Sequence, residues 1–183
     1  MGMTRVRQPG LLLGEWACLG ALAAQRAHGF AVAKRLAAGG DIGRVWSLSR
    51  PLTYRALDML VELGMIRAVA EERGAAGPNR MVLGATSKGR GALRTWLHQP
   101  VGHLRDVRGE LLLKLVVSDI NGVDTASLVA AQLRMFSALH EALMEQSEPA
   151  GGERLDPVAV WRQENADAAV RFLSRLSALP PHG

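Results

Sequence analysis

Apolar and polar positions along this chain recur with the period of helices almost throughout. Between Leu11 and Ala24 the residues Leu12, Trp16, Leu19 and Leu22 form one stripe at three- and four-residue spacing, which predicts a first helix. Ala27-His28-Gly29 is a break, with His28 as a turn or capping residue, and Phe30 to Ala38 is a short second helix with Lys34 and Arg35 outward. Gly39-Gly40-Asp41 ends that helix, and Ile42 to Leu48 is a loop carrying Trp46. The third helix has the clearest signals. Ser47 and Ser49 both suit an N-cap, and Pro51 is tolerated in a first turn, where its missing N–H loses nothing. Thr53, Ala56, Leu57, Leu60 and Leu63 line its apolar face, and Gly64 stands where a left-handed residue stops a helix.

The period then changes. Met65 to Arg73 alternates in part and predicts a strand, residues 74–79 form a turn cluster, and Arg80 to Ala85 returns as a second strand. Thr86 or Ser87 caps a fourth helix that runs to about His98, with Leu93, Trp96 and Leu97 inside. Three helices, a hairpin and another helix predict a winged helix-turn-helix, in which the hairpin is the wing beside a recognition helix.

Helical periods resume after Pro100. Asp106 to Ser118 repeats Val107, Leu111 and Leu115, Asn121-Gly122 breaks the chain, and Asp124 caps a long helix with Val129, Leu133, Phe136, Leu139 and Leu143. Residues 148–152 form a loop, and Asp156-Pro157 opens a last helix striped by Val158, Trp161, Asn165, Ala168, Phe172, Leu176 and Leu179. Such seams suit helices packed lengthwise, so Leu111, Leu115, Leu133, Phe136, Trp161, Ala168, Phe172 and Leu176 are candidates for a homodimer interface. The expected fold is mainly α with a small β-hairpin. Residues 1–100 are expected to form the winged-helix domain and residues 101–183 a helical dimerisation domain.

Composition supports helices, since aromatics make up only 4% of the 183 residues. The single cysteine, Cys18, excludes an internal disulfide framework and a cysteine zinc site, and it fits a reducing cytosol as a small buried hydrophobe. No apolar run reaches about 18 residues, and the basic N-terminus is not read as a signal peptide, so a cytoplasmic protein without membrane association is expected. Charge divides unevenly. Residues 1–100 hold 14 basic and 6 acidic side chains, a net of +8, whereas residues 101–183 hold 8 and 11, a net of −3, giving +5 overall. Positive charge thus collects in the half with the candidate recognition helix, as duplex DNA requires. On that helix Arg50, Tyr54 and Arg55 lie at the N-terminal end, while Asp58 and Glu62 come later. Ser49, Arg50, Tyr54 and Arg55, with Arg73, Asn79 and Arg80 of the wing, are the candidate DNA contacts.

The first hundred residues resemble the winged-helix domain of PadR-type transcriptional regulators. The resemblance runs through Glu15-Trp16, Leu19-Gly20, His28-Gly29-Phe30, Tyr54-Arg55-Ala56-Leu57 and Leu63-Gly64-Met65-Ile66. It continues through Gly77-Pro78, Arg80 and Thr86-Ser87-Lys88-Gly89, and the run from Arg105 to Lys114 is similar to the start of that family's C-terminal helices. Two departures stand out: Pro51-Leu52-Thr53 replaces the usual Gly-Thr-Leu, and Leu83 replaces a wing aromatic. The resemblance implies a homodimeric repressor of a palindromic operator, released by a small hydrophobic or aromatic effector.

Other chemistries find little support. No two of His28, His98, His103, His140 and His182 have the helical spacing of a metal site, and there is no nucleophile elbow or phosphate-cradling loop, so neither an enzyme nor a metal or other cofactor is expected. Two alternatives stay open, a helical binding or scaffolding protein without DNA contact and a multiple-antibiotic-resistance-type regulator. Trp16, Trp46, Trp96 and Trp161 are the aromatics that could line an effector pocket.

Overall fold

The computed structural model describes residues 10–74, 77–145 and 156–178, with backbone alone at 73, 74 and 77–79. Its elements are α1 (Leu13–Ala24), β1 (Ala27–His28), α2 (Gly29–Leu36), α3 (Arg50–Glu62), β2 (Ile66–Gly74), β3 (Gly77–Ala85), α4 (Ser87–Leu97), α5 (Leu112–Ile120), α6 (Ala126–Glu145) and α7 (Pro157–Ser177). A 3₁₀ turn (Leu104–Asp106) and a π-helical turn (Val107–Leu111) precede α5, so the helix expected from Asp106 becomes regular only at Leu112. Leu179 and the expected loop at 148–152 lie outside the described residues.

Contacts divide the chain into two compact units, one of the described residues up to Leu97 together with Leu112–Val123, the other of His98–Leu111 and the described residues from Asp124 on. A division at residue 100 leaves α5 in the second half, whereas its contacts place it in the first unit. The reason is apolar burial. Leu113 and Val117 of α5 join Trp16, Leu19, Leu22, Val32, Leu36, Leu57, Leu60, Leu93 and Trp96 in one core. The approach is close enough to require Gly20, where an added Cβ would stand 2.5 Å from a Val117 methyl.

Within that unit, α1, α2 and α3 pack on one another, and the sheet has the order β1-β3-β2. The break at Ala27-His28 is therefore also a two-residue strand, with Ala27 opposite Leu83 and His28 opposite Val82. His28 is in addition the N-cap of α2, its Nδ1 accepting the Ala31 N–H at 3.1 Å. This order of helices around a small antiparallel sheet is a winged helix-turn-helix with β2 and β3 as the wing. Leu83, at the position of the missing wing aromatic, is partly buried against the core. Cys18 is buried, and desolvation, with Glu15 as a smaller second cause, pushes its thiol up to about 12. It stays protonated at neutral pH and serves as core filler.

The link from α2 to α3 is fastened by one ion pair. Arg35 grips Asp41 through Nε and Nη2, at 3.1 and 2.6 Å from Oδ2, and the guanidinium beside Asp41 holds its carboxyl below the usual range.

In the second unit α6 and α7 pack together. Gln163, early in α7, donates to the Leu143 carbonyl late in α6, so the two run antiparallel. Asp156 caps α7, accepting the Val158 N–H at 2.9 Å. The side chain of Gln132, fully buried in the middle of α6, pairs with the backbone of Val101 on both sides: the Val101 N–H donates to Oε1 at 2.7 Å and Nε2 donates to the Val101 carbonyl at 3.0 Å. Among the described residues no helix is long and apolar enough to cross a membrane.

Candidate nucleic-acid interface

The N-terminal end of α3 is built by its cap. Ser49 is the N-cap of α3, its hydroxyl accepting the Leu52 N–H at a long 3.5 Å. Thr53, wholly buried, ties the same turn by donating from Oγ1 to the Ser49 carbonyl at 3.1 Å. With Thr53, Ala56, Leu57 and Leu60 turned inward, the same helical period forces Arg50, Tyr54 and Arg55 outward. Asp58 and Glu62 are also exposed but lie one and two turns further on. The cations therefore stand clear of the acids at the end of the helix that enters a groove first in this architecture.

Tyr54 is half-exposed, and its ring rests on Gly29. A Cβ there would lie 2.8 Å from the ring, so the glycine opening α2 makes room for it. Arg50 lies over the ring of Phe30 with its guanidinium carbon 5.0 Å from the centroid. Sequence reasoning missed Phe30. Its signals were its place in the His28-Gly29-Phe30 motif and at the start of the second helix, and neither assigned it a contact.

The far end of α3 is locked to α4. Gly64 takes φ +65°, Lys88 donates from Nζ to the Leu63 carbonyl at 2.7 Å, and the Thr86 hydroxyl donates to the Gly64 carbonyl at 2.8 Å. Gly89 follows because a Cβ at that position would sit 2.1 Å from the Met65 carbonyl oxygen. Thr86-Ser87-Lys88-Gly89 is thus the clasp that fixes α3 against the start of the wing.

The wing is less cationic than expected. Arg80 is exposed on β3, but Glu72 stands directly opposite it on β2, with Glu71 beside it and also exposed. Arg67, at the base of β2, is a further exposed cation the sequence reading did not single out. Arg73 lies at a register irregularity of β2 and Asn79 on β3, and the side chains of both fall outside the described residues.

Three of the four aromatics proposed for an effector site, Trp16, Trp46 and Trp96, lie in the first unit. Trp16 and Trp96 stack on each other at 4.8 Å in the core, with the buried Lys114 ammonium 5.0 Å over the Trp96 ring. Trp46 is half-buried against the same core, and Trp161 belongs to the other unit. Packing has used the first two because α1 and α4 face each other across them. A cavity of about 240 Å³ in the first unit is lined instead by Leu93, Leu97, Ile120 and Val123, with Arg90 and Arg94 at its polar side.

The chain matches no family model and no curated protein sequence. Among solved structures it is similar to Bacillus subtilis PadR in complex with operator DNA. The two chains are 22% identical, the similarity covers 93% of this chain and all of that one, and the TM-score is 0.45.

The residues proposed for dimerisation separate into two groups. Leu111 and Phe136 are buried within the single chain, and Leu115, on α5, is partly buried in the first unit. On α7, Ala166, Ala169 and Leu173 form the buried face. The predicted stripe lies beside it: Trp161 is 70% exposed, Ala168 is exposed, and Phe172 and Leu176 are half-buried. Leu133 of α6 is half-buried too.

Proposed function

We propose that this protein is a cytoplasmic DNA-binding transcriptional regulator, a homodimeric repressor that reads a palindromic operator with α3. The observation that carries the reading is the exposed set Arg50, Tyr54 and Arg55 at the N-terminal end of a helix fixed on both sides, by the Ser49 cap and the Lys88 clasp, beside a two-stranded wing. Guanidinium groups so placed suit the O6 and N7 acceptors of guanine in a major groove. The motif resemblance to PadR-type regulators supports the same reading and adds release by a small hydrophobic or aromatic effector. Titration of duplex from the gene's own upstream region tests it. Affinity is expected to fall linearly on logarithmic axes as salt rises, since each neutralised phosphate releases counterions. Binding indifferent to salt would remove the proposal.

Dimerisation is supported by the uncovered face of α7. Val158 and Trp161, three residues apart on α7, are 62% and 70% exposed, and Met144 on α6 is 52% exposed. Tryptophan and methionine are enriched in the centres of interfaces, and large apolar side chains so exposed suit one. Trp161→Glu is expected to weaken the dimer at least tenfold, which is about 1.4 kcal/mol, by light scattering. Because Trp161 is exposed in the single chain, its replacement should leave the protomer folded. A wild-type protein that is monomeric at tens of micromolar would contradict the dimer.

A further inference from the structure

Phe30 has no place in the core. The second residue of α2, it is 48% exposed, whereas Val32, Ala33 and Leu36 form that helix's buried face. What it does touch is informative. Its ring lies 5.0 Å from the guanidinium carbon of Arg50, the first residue of α3, and stacks beside the His28 ring, with centroids 6.2 Å apart. Among the described residues Arg50 makes no ion pair or side-chain hydrogen bond, so this ring is what restrains it.

We propose that Phe30 is a positioning residue that sets base preference by holding the Arg50 guanidinium ready for a base edge. The inference rests on the reading of α3 as the DNA-recognition helix. An unrestrained arginine loses several side-chain rotations when it docks in a fixed bidentate geometry, and that loss weakens binding. A guanidinium already lying on an aromatic face has lost part of that freedom before DNA arrives. Contact with the ring also narrows the directions open to the guanidinium, and a planar fork must be directed in order to discriminate one base edge from another. Phosphate contacts need no such alignment, so the effect of Phe30 belongs to sequence discrimination rather than to general affinity.

The test is a double-mutant cycle of wild type, Phe30→Leu, Arg50→Ala and the double variant, with Phe30→Tyr as the conservative control. Affinities are measured for upstream duplex, for unrelated duplex, and for duplexes altered at each base pair. The base pair read by Arg50 is the one whose exchange weakens wild type but not Arg50→Ala. Phe30→Leu is expected to weaken specific binding about two- to fivefold, the range of an exposed cation–π contact, and to relax discrimination at that pair. Unrelated duplex should bind unchanged, Phe30→Tyr should behave as wild type, and Phe30→Leu should add nothing to Arg50→Ala. In the free protein the Arg50 side-chain protons should show a ring-current shift that Phe30→Leu abolishes. Equal loss on unrelated duplex, an undiminished effect in the Arg50→Ala background, no loss at all, or no ring-current shift would each overturn the inference while leaving DNA binding intact. A wild type that binds no duplex overturns the functional reading and the inference together.

Discussion

Replacing Arg50 or Arg55 by alanine is expected to cost about 1–3 kcal/mol of operator affinity each, roughly five- to 150-fold, where the guanidinium reads a base. Both side chains are exposed and neither supports the core, which is made by Thr53, Ala56, Leu57 and Leu60 on the opposite face of α3. Thermal stability should therefore stay within about 0.5 kcal/mol of wild type, which separates a recognition effect from unfolding. The pattern of loss distinguishes the two roles. A base reader loses discrimination at one position, whereas a phosphate contact loses affinity evenly over all sequences and lowers the salt slope by about 1. Anisotropy titrations on the operator and on scrambled duplex measure both. Two variants that bind as wild type does at every salt concentration would leave α3 without a role in recognition.

Gln132→Leu is expected to be the most damaging single change in the second unit. The leucine keeps the volume but leaves the Val101 N–H and carbonyl, now paired at 2.7 and 3.0 Å, facing an apolar side chain. Val101 is itself buried, so water cannot take the place of the amide. Each orphaned buried group costs about 1–3 kcal/mol, so a net loss of about 2–5 kcal/mol is expected after the gain from burying the leucine. Denaturant unfolding measures it as a lowered midpoint. A midpoint indistinguishable from that of wild type would mean that the chain around Val101 rearranges to recover both hydrogen bonds.

The parts of this fold that were legible in the sequence are those set by local rules. Ser49 caps α3, Gly64 ends it, and Asp156 caps α7, because a cap depends on a few neighbouring residues and the backbone they leave unpaired. β1 was not legible. Two residues, Ala27 and His28, carry no period, and their strand exists only because β3 lies alongside. Nor did the pattern show where α5 belongs. Leu111 to Val117 is apolar on nearly every side, so periodicity could not choose a face. Gln132 read as an ordinary polar position of a long helix, and its partner lies 31 residues away. The tryptophans were ambiguous for a related reason: composition counts aromatics but does not say which are stacked in a core. On α7 the stripe runs beside the buried face rather than along it, with Trp161 and Ala168 exposed and Phe172 and Leu176 half-buried, because the small residues Ala166 and Ala169 supply the buried face together with Leu173.

The assignment of Leu112–Val123 to the first unit bears on how this protein could be dissected or inherited. The chain leaves the first unit after Leu97, re-enters it at Leu112 and leaves it again after Val123. Recombination that transplanted only the first hundred residues would carry off α3 and its neighbours without Leu113 and Val117. The recipient would then hold a core with solvent where α5 should be. Its Gly20, which admits Val117, would keep the helix-weakening effect of a glycine without that close approach. The first unit is therefore not a cassette that can be exchanged at a linker. A change confined to the exposed face of α3, by contrast, could spread by single substitutions at positions such as Arg50 and Arg55 that leave this core untouched.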